Sequence, residues 1–167
     1  MSELWPGNQP AAELEGIRLD IAIAPEAARA APEAREIIGR AIRAADEAAG
    51  PSEGIVSVVV EDDAAIRELN RQWRGIDQPT NVLSFPAAAT SSIASRHLGD
   101  LAISYETVGR EAEAEARPFA HHLAHVAVHG FLHLLGYDHQ SDAAAEEMED
   151  LERKILARLG IPDPYGM

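Results

Sequence analysis

Apolar and polar residues alternate from Ile17 to Ile23, with Ile17, Leu19, Ile21 and Ile23 on one side and Arg18, Asp20 and Ala22 on the other. That period of two predicts a half-buried strand, which Pro25 is expected to end. From Pro32 to Ala49 the spacing lengthens. Ile37, Ile38, Ala41, Ile42 and Ala45 recur at helical intervals, with Pro32 suited to a first turn and Gly50 to a C-cap. The β-branched run Ile55 to Val60 predicts a buried strand, followed by a helix capped by Asp62 or Asp63 and reaching about Arg71. Short strands follow at Asn81 to Phe85 and Leu98 to Ser104, separated by a Ser- and Ala-rich stretch that makes residues 86–97 the expected mobile loop. Three helices complete the pattern: Tyr105 to Ala116, Pro118 to Leu135 with Gly136 as C-cap, and Ser141 or Asp142 to Leu159. In the last, Leu151, Ile155 and Leu159 lie on one side. The expected fold is therefore α+β, a single domain with a mixed sheet of about four strands packed with about five helices. Residues 1–16, with Pro6, Gly7, Pro10 and Gly16, form a loose extension before the domain of residues 17–167.

Composition narrows the chemistry. The 167 residues are 46% hydrophobic and 25% charged, the balance of one globular domain. A chain of this length buries enough surface to fold without a structural metal, so a metal site calls for a functional explanation. There is no cysteine, which excludes disulfide frameworks, thiolate zinc sites and cysteine nucleophiles together. With neither a membrane-length apolar run nor a secretory start, the protein is expected to be cytoplasmic and without a membrane partner. Asp and Glu outnumber Lys and Arg by 28 to 14, for a net charge of -14. Such a field repels phosphate backbones, so a nucleic-acid partner needs a local cationic site.

Of the seven histidines, His121, His122, His125, His129 and His133 fall on the helix before Gly136, and His139 lies just beyond it. His121, His125, His129 and His133 recur every four residues and share a face. His129 and His133, one turn apart, can offer two imidazoles to a tetrahedral zinc, and a left-handed Gly136 can turn the chain back to bring His139 as a third. The frame His-x-x-x-His-x-x-Gly-x-x-His is the one metzincin proteases build, but the position of their glutamate base is Gly130 here. A protease of that mechanism is disfavoured. What remains is a zinc-binding, zincin-like histidine helix with three ligands and one position open to water. His121, His122 and His125 are read as core or surface residues without metal. Asp138 either orients an imidazole or is an ordinary turn aspartate.

The run His129-Gly-Phe-Leu-His133-Leu-Leu-Gly136-Tyr-Asp-His139 resembles the signature of the YbeY family of bacterial endoribonucleases. Two more blocks fit in the right order. These are Leu69-Asn-Arg-Gln-Trp-Arg74-Gly-Ile-Asp-Gln-Pro-Thr-Asn81-Val-Leu-Ser-Phe85-Pro followed by Leu98-Gly-Asp100-Leu, and the acidic helix with Glu146, Glu147, Met148, Glu149 and Leu151. The resemblance spans about residues 55–165. It implies zinc-dependent cleavage of single-stranded RNA, with His129, His133 and His139 as zinc ligands and Arg74 as the functionally important arginine. It further implies 16S rRNA 3′-end maturation, ribosome assembly and 70S quality control, with the small ribosomal subunit and assembly factors as partners. No DNA partner is expected.

Elementary chemistry is compatible with that implication. Arg67, Arg71 and Arg74 are spaced i, i+4 and i+7 along one stripe, with Gly75 and Pro79 ending the helix near Arg74. An arginine fork holds a phosphate and stabilises charge growing on it. Arg67 and Arg71 are expected to pair with Asp63 or Glu68 on a solvated face. Asn81, Ser84 and Asp100 are candidates to line a cleft, or in the case of Asn81 and Ser84 to hydrogen-bond at strand ends. The base is left open between zinc hydroxide, His125 acting through a water, and the RNA 2′-hydroxyl. Two alternatives compete: a non-enzymatic, zinc-stabilised ribosome assembly factor, and a zinc hydrolase of peptides or small amides.

Overall fold

The structure, a computed structural model, describes residues 16–87 and 97–166. The expected N-terminal extension, Gly16 apart, and nearly all of the expected loop 86–97 lie outside the described residues. Strand β1 (Ile17–Ile23) keeps the alternation of its sequence, half-buried at each Ile and Leu and exposed between. In β2 (Gly54–Glu61), Val56, Val58 and Val60 are fully buried on one face while Ile55, Ser57 and Val59 are half-buried on the other. With β3 (Val82–Pro86) and β4 (His97–Ser104) they form a four-stranded sheet in the order β1-β2-β4-β3. β1, β2 and β4 are parallel, and β3 closes one edge antiparallel to β4. This mixed sheet is the expected α+β architecture.

Among the described residues six helices surround it, where about five are expected. The additional one is α1 (Pro25–Ala30): Pro25 ends β1 as expected but also occupies the first turn of a helix, where its missing N–H costs nothing. Helix α2 (Ala34–Ala49) starts after Pro32, which sits in the preceding turn. Helix α3 (Asp63–Arg74) is capped by Asp62, whose Oδ1 accepts from the Ala65 N–H at 2.9 Å, and it runs three residues beyond Arg71. Gly75 stops it in the left-handed region, at φ 72°. Helices α4 (Tyr105–Ala114), α5 (Phe119–Leu134) and α6 (Asp142–Arg158) follow. On α6 the buried stripe is Met148, Glu152, Ile155 and Leu156, while Leu151 and Leu159 are only half-buried. No helix among the described residues is long and apolar enough to cross a membrane.

Helix α5 is the pillar of the core. It packs against β3, β4, α2, α4 and α6. Leu123, Val128, Phe131 and Leu132 are fully buried or nearly so, each stabilising the fold by roughly 1.5–3 kcal/mol. His121, His125, His129 and His133 occupy its less buried line, so the four-residue histidine repeat marks the strip that neighbouring elements leave partly open. Among the described residues the opposite face of the sheet is covered by α3, whose Ile66 packs on Leu83 and Ala102 in a small second cluster.

Candidate metal centre

Helix α5 ends in a Schellman turn, with Leu135 as C-cap. The Gly136 N–H donates to the His133 carbonyl at 3.0 Å and the Tyr137 N–H to the Leu132 carbonyl at 3.1 Å. Gly136 holds φ 104°, a conformation that costs a side-chain-bearing residue energy. The turn does two things at once. It brings His139 back over the helix end, and it aims the Tyr137 carbonyl at His133 Nδ1, 2.9 Å away.

His129, His133 and His139 converge as expected: one nitrogen from each lies within 4.8 Å of the others. His129 Nε2 and His133 Nε2 are 3.1 Å apart. Two nitrogens on a tetrahedral zinc at about 2.0–2.1 Å would be about 3.3 Å apart. The tautomers agree with ligation. A carbonyl can only accept, so His133 Nδ1 carries its proton and leaves the Nε2 lone pair free. His129 is set the same way by a residue the sequence reading passed over: its Nδ1 lies 2.7 Å from Oε2 of Glu152. The three imidazoles thus fit a zinc ion by donor type and proximity, and His129 and His133 also by proton placement.

Glu152 is fully buried on α6. Its Oε1 also accepts from His125 Nε2 at 3.0 Å and from the Tyr165 hydroxyl. Burial pushes its carboxyl up, but the hydrogen bonds from His125, His129 and Tyr165 outweigh this and hold it at about 2. The Tyr165 phenol is pushed up, by burial and then by Glu152. Burial and then the repulsion of His129 lower the His133 pKa, which favours the neutral, metal-binding imidazole. His125 is committed to Glu152 and not to the cleft. His122 Nε2 is paired with Glu111 at 2.8 Å and buried. Asp138 is a turn aspartate, accepting from the Gln140 N–H at 3.0 Å.

Beside the histidines opens a cleft of about 410 Å³ lined by Arg74, Thr80, Asn81, Ser84, His129 and His133. Arg74 therefore shares a cavity with two of the three histidines. Among the described residues it has no carboxylate partner, whereas Arg71 is paired with Glu68 and Arg67 with Asp77. Of the two carboxylates expected to pair with Arg67 and Arg71, Asp63 pairs with neither, because it is held by Ser104, Thr107 and Arg110. Asn81 and Ser84 both line the cleft and hydrogen-bond: Asn81 Nδ2 donates to Glu111 at 3.0 Å and Ser84 Oγ to the Gly130 carbonyl at 3.0 Å. Asp100 lies elsewhere, in a groove on the opposite face of the sheet.

Gly130 has a packing explanation. A Cβ there would lie 2.9 Å from Val82 Cγ2 and 3.1 Å from Leu101 Cδ2. The helix presses on the sheet at the position where a metzincin carries its glutamate, so the bare backbone brings β3 and its cleft residues against the histidines.

The model of the family described as endoribonuclease YbeY matches residues 20–160. A protein named endoribonuclease YbeY from Bradyrhizobium sp. strain BTAi1 is 55% identical over 154 residues, covering 88% of this chain and 91% of the relative. Another of that name from Rhodopseudomonas palustris strain BisA53 is 52% identical over 153 residues, covering 88% and 89%. The solution structure of TM1509 from Thermotoga maritima is 24% identical with a TM-score of 0.52, covering 90% of this chain and all of that one, and shows the shared fold. With a match across nearly the whole domain, the chain belongs to the YbeY family of endoribonucleases, hydrolases that act on RNA.

Proposed function

We propose that this protein is a zinc-dependent, single-strand-specific endoribonuclease of the cytoplasm that matures the 3′ end of 16S rRNA and takes part in ribosome assembly and 70S quality control. The observation that carries the reading is the meeting, in one cleft, of Arg74 with His129 and His133 of the three-histidine cluster. His129, His133 and His139 would hold the ion. A zinc ion supplies a Lewis acid for a phosphoryl oxygen and lowers the pKa of water that it binds.

The remaining work falls to side chains. The Arg74 fork holds the scissile phosphate and neutralises charge that grows on its oxygens. The Tyr137 carbonyl and Glu152 keep the protons of His133 and His129 on Nδ1, away from the cleft. Asn81 and Ser84 furnish polar groups along the cleft wall. Gly130 leaves no carboxylate where a peptidase base would stand, which disfavours the peptide and amide alternative. Because the net charge is -14, the small ribosomal subunit and its assembly factors present the RNA, and the acidic surface suppresses indiscriminate binding.

The test is cleavage of a short single-stranded RNA by zinc-loaded and zinc-stripped protein, with His133→Ala prepared identically. Cleavage by the zinc-loaded parent alone is expected. Equal cleavage by parent and variant would assign the activity to a contaminant and favour the assembly-factor reading. Tight, salt-sensitive binding to arbitrary RNA would overturn the role given to the acidic surface.

A further inference from the structure

The metal cleft leaves a binding problem unsolved. With Arg67 and Arg71 tied to Asp77 and Glu68, Arg74 is the α3 arginine left to meet phosphate. One phosphate contact releases too few counterions to hold a strand of RNA on an acidic protein. A contact with the uncharged part of the nucleotide, its base, adds affinity that the protein's charge does not supply.

A surface suited to a base lies across β3 from the cleft. A groove of about 360 Å³ is walled by Val59, Leu69, Trp73 and Phe85, with Ser57 and Asp100 as polar groups. Trp73 is 68% exposed, and its ring meets that of Phe85 edge-on at a centroid distance of 6.1 Å. Groove and cleft are continuous through neighbouring residues. Trp73 lines one and Arg74 the other, while along β3 Ser84 and Pro86 line the cleft and Phe85 between them lines the groove. Among the described residues β3 is an edge strand, so a single strand, beside the adjacent residues Trp73 and Arg74, separates the two. One nucleotide can straddle it, phosphate on one side and base on the other.

We propose that the groove of Trp73 and Phe85 is a nucleobase subsite, which takes by stacking on Trp73 an unpaired base of the RNA whose phosphate Arg74 holds. The proposal rests on the reading of the cleft as an RNA-cleaving site. It supplies that reading with a physical origin for single-strand preference, since a base stacked and paired in a helix cannot enter the groove.

The probe is a short single-stranded RNA carrying one abasic nucleotide, moved stepwise past the cleavage position and offered to the zinc-loaded full chain. For the parent, one abasic position raises KM roughly tenfold, a typical loss for one base–aromatic stack, with little change in kcat. Trp73→Ala raises KM comparably on intact RNA and no longer senses that position, and Trp73→Phe falls between. In a Trp5→Phe background Trp73 is the remaining tryptophan, and its fluorescence is quenched by intact RNA but not by the abasic probe. Identical abasic profiles in parent and Trp73→Ala, with cleavage lost in Arg74→Ala, overturn the subsite and leave the cleft reading standing. Cleavage unaffected by Arg74→Ala instead overturns the cleft reading. Normal action of Trp73→Ala on free RNA but impaired action on ribosomal particles makes the groove a protein contact, and the subsite is wrong.

Discussion

Glu152→Gln separates the orientation of a candidate metal-ligating histidine from packing, because it keeps the volume and changes only the acceptor count. Glu152 receives three donors, His125 Nε2 and the Tyr165 hydroxyl on Oε1 and His129 Nδ1 on Oε2. A glutamine has one oxygen. If it serves His125 and Tyr165, the amide NH2 faces His129 Nδ1. That ring must then move its proton to Nε2, the nitrogen 3.1 Å from His133 that a metal would use. If the amide flips, its NH2 faces the His125 Nε2 and Tyr165 hydroxyl donors instead. Either arrangement forfeits hydrogen bonds to a charged group, worth about 1.5–3 kcal/mol. Because about 1.4 kcal/mol is a factor of ten, zinc affinity should fall roughly 10- to 100-fold, the usual effect of losing a partner behind a metal-bound histidine. Competition against a chromogenic chelator at neutral pH measures this directly, with thermal unfolding of the zinc-free proteins as the control for folding. Unchanged zinc affinity in Glu152→Gln, with the fold intact, would refute the tautomer argument.

Gly130→Ala should lower the unfolding temperature. Overpacking against Val82 and Leu101, at 2.9 and 3.1 Å, costs about 1–3 kcal/mol and exceeds the roughly 1 kcal/mol gained in helix propensity, while an unchanged or raised midpoint would contradict the close-packing account. Arg74→Ala should reduce RNA cleavage about 100-fold or more without altering thermal stability, whereas Arg67→Ala, which breaks only the exposed pair with Asp77, should leave cleavage near the parent's. Burial raises the Asp63 pKa, but hydrogen bonds from Ser104, Thr107 and Arg110 outweigh it and hold the group below the ordinary aspartate value. Its contribution is present above about pH 4 and lost as pH falls through the lowered folded value, so Asp63→Asn should flatten the acid limb of stability against pH in chemical denaturation.

The pieces of the site that lie on one stretch of chain were legible in the sequence. The i, i+4 spacing of His129 and His133, the Gly136 turn and His139 are local, and a helix followed by a glycine stop has one geometry. Elements with a clear period were equally readable. Helix α1 was not, because six residues, half of them alanine, give no amphipathic pattern and Pro25 reads as a stop. The sheet order, which puts β3 on the edge beside the histidines, depends on pairings between distant segments. Glu152 was hidden by its company: among Glu146, Glu147, Glu149 and Asp150 it reads as one more solvated charge. A signal did exist. Met148, Glu152 and Ile155 are spaced i, i+4 and i+7, so this glutamate stands on the apolar stripe, and a carboxylate there needs partners. The pairing of Arg67 with Asp77 was missed because the turn after Gly75 folds Asp77 back alongside α3.

The two walls of the cleft are anchored very unequally. The histidine wall belongs to α5, wedged between the sheet and three other helices, and it is tied from behind by a buried carboxylate and a helix-terminating turn. The arginine wall is the last turn of α3, among the described residues the one helix on its side of the sheet, ending in an exposed tip. Change accumulates more cheaply on the second wall. Variants that retune which RNA is accepted should map to residues 71–76, while substitutions along the histidine strip should be felt first as loss of the fold or of metal binding. On that reading the chemistry is carried by the tightly packed wall and the choice of substrate by the lightly packed one.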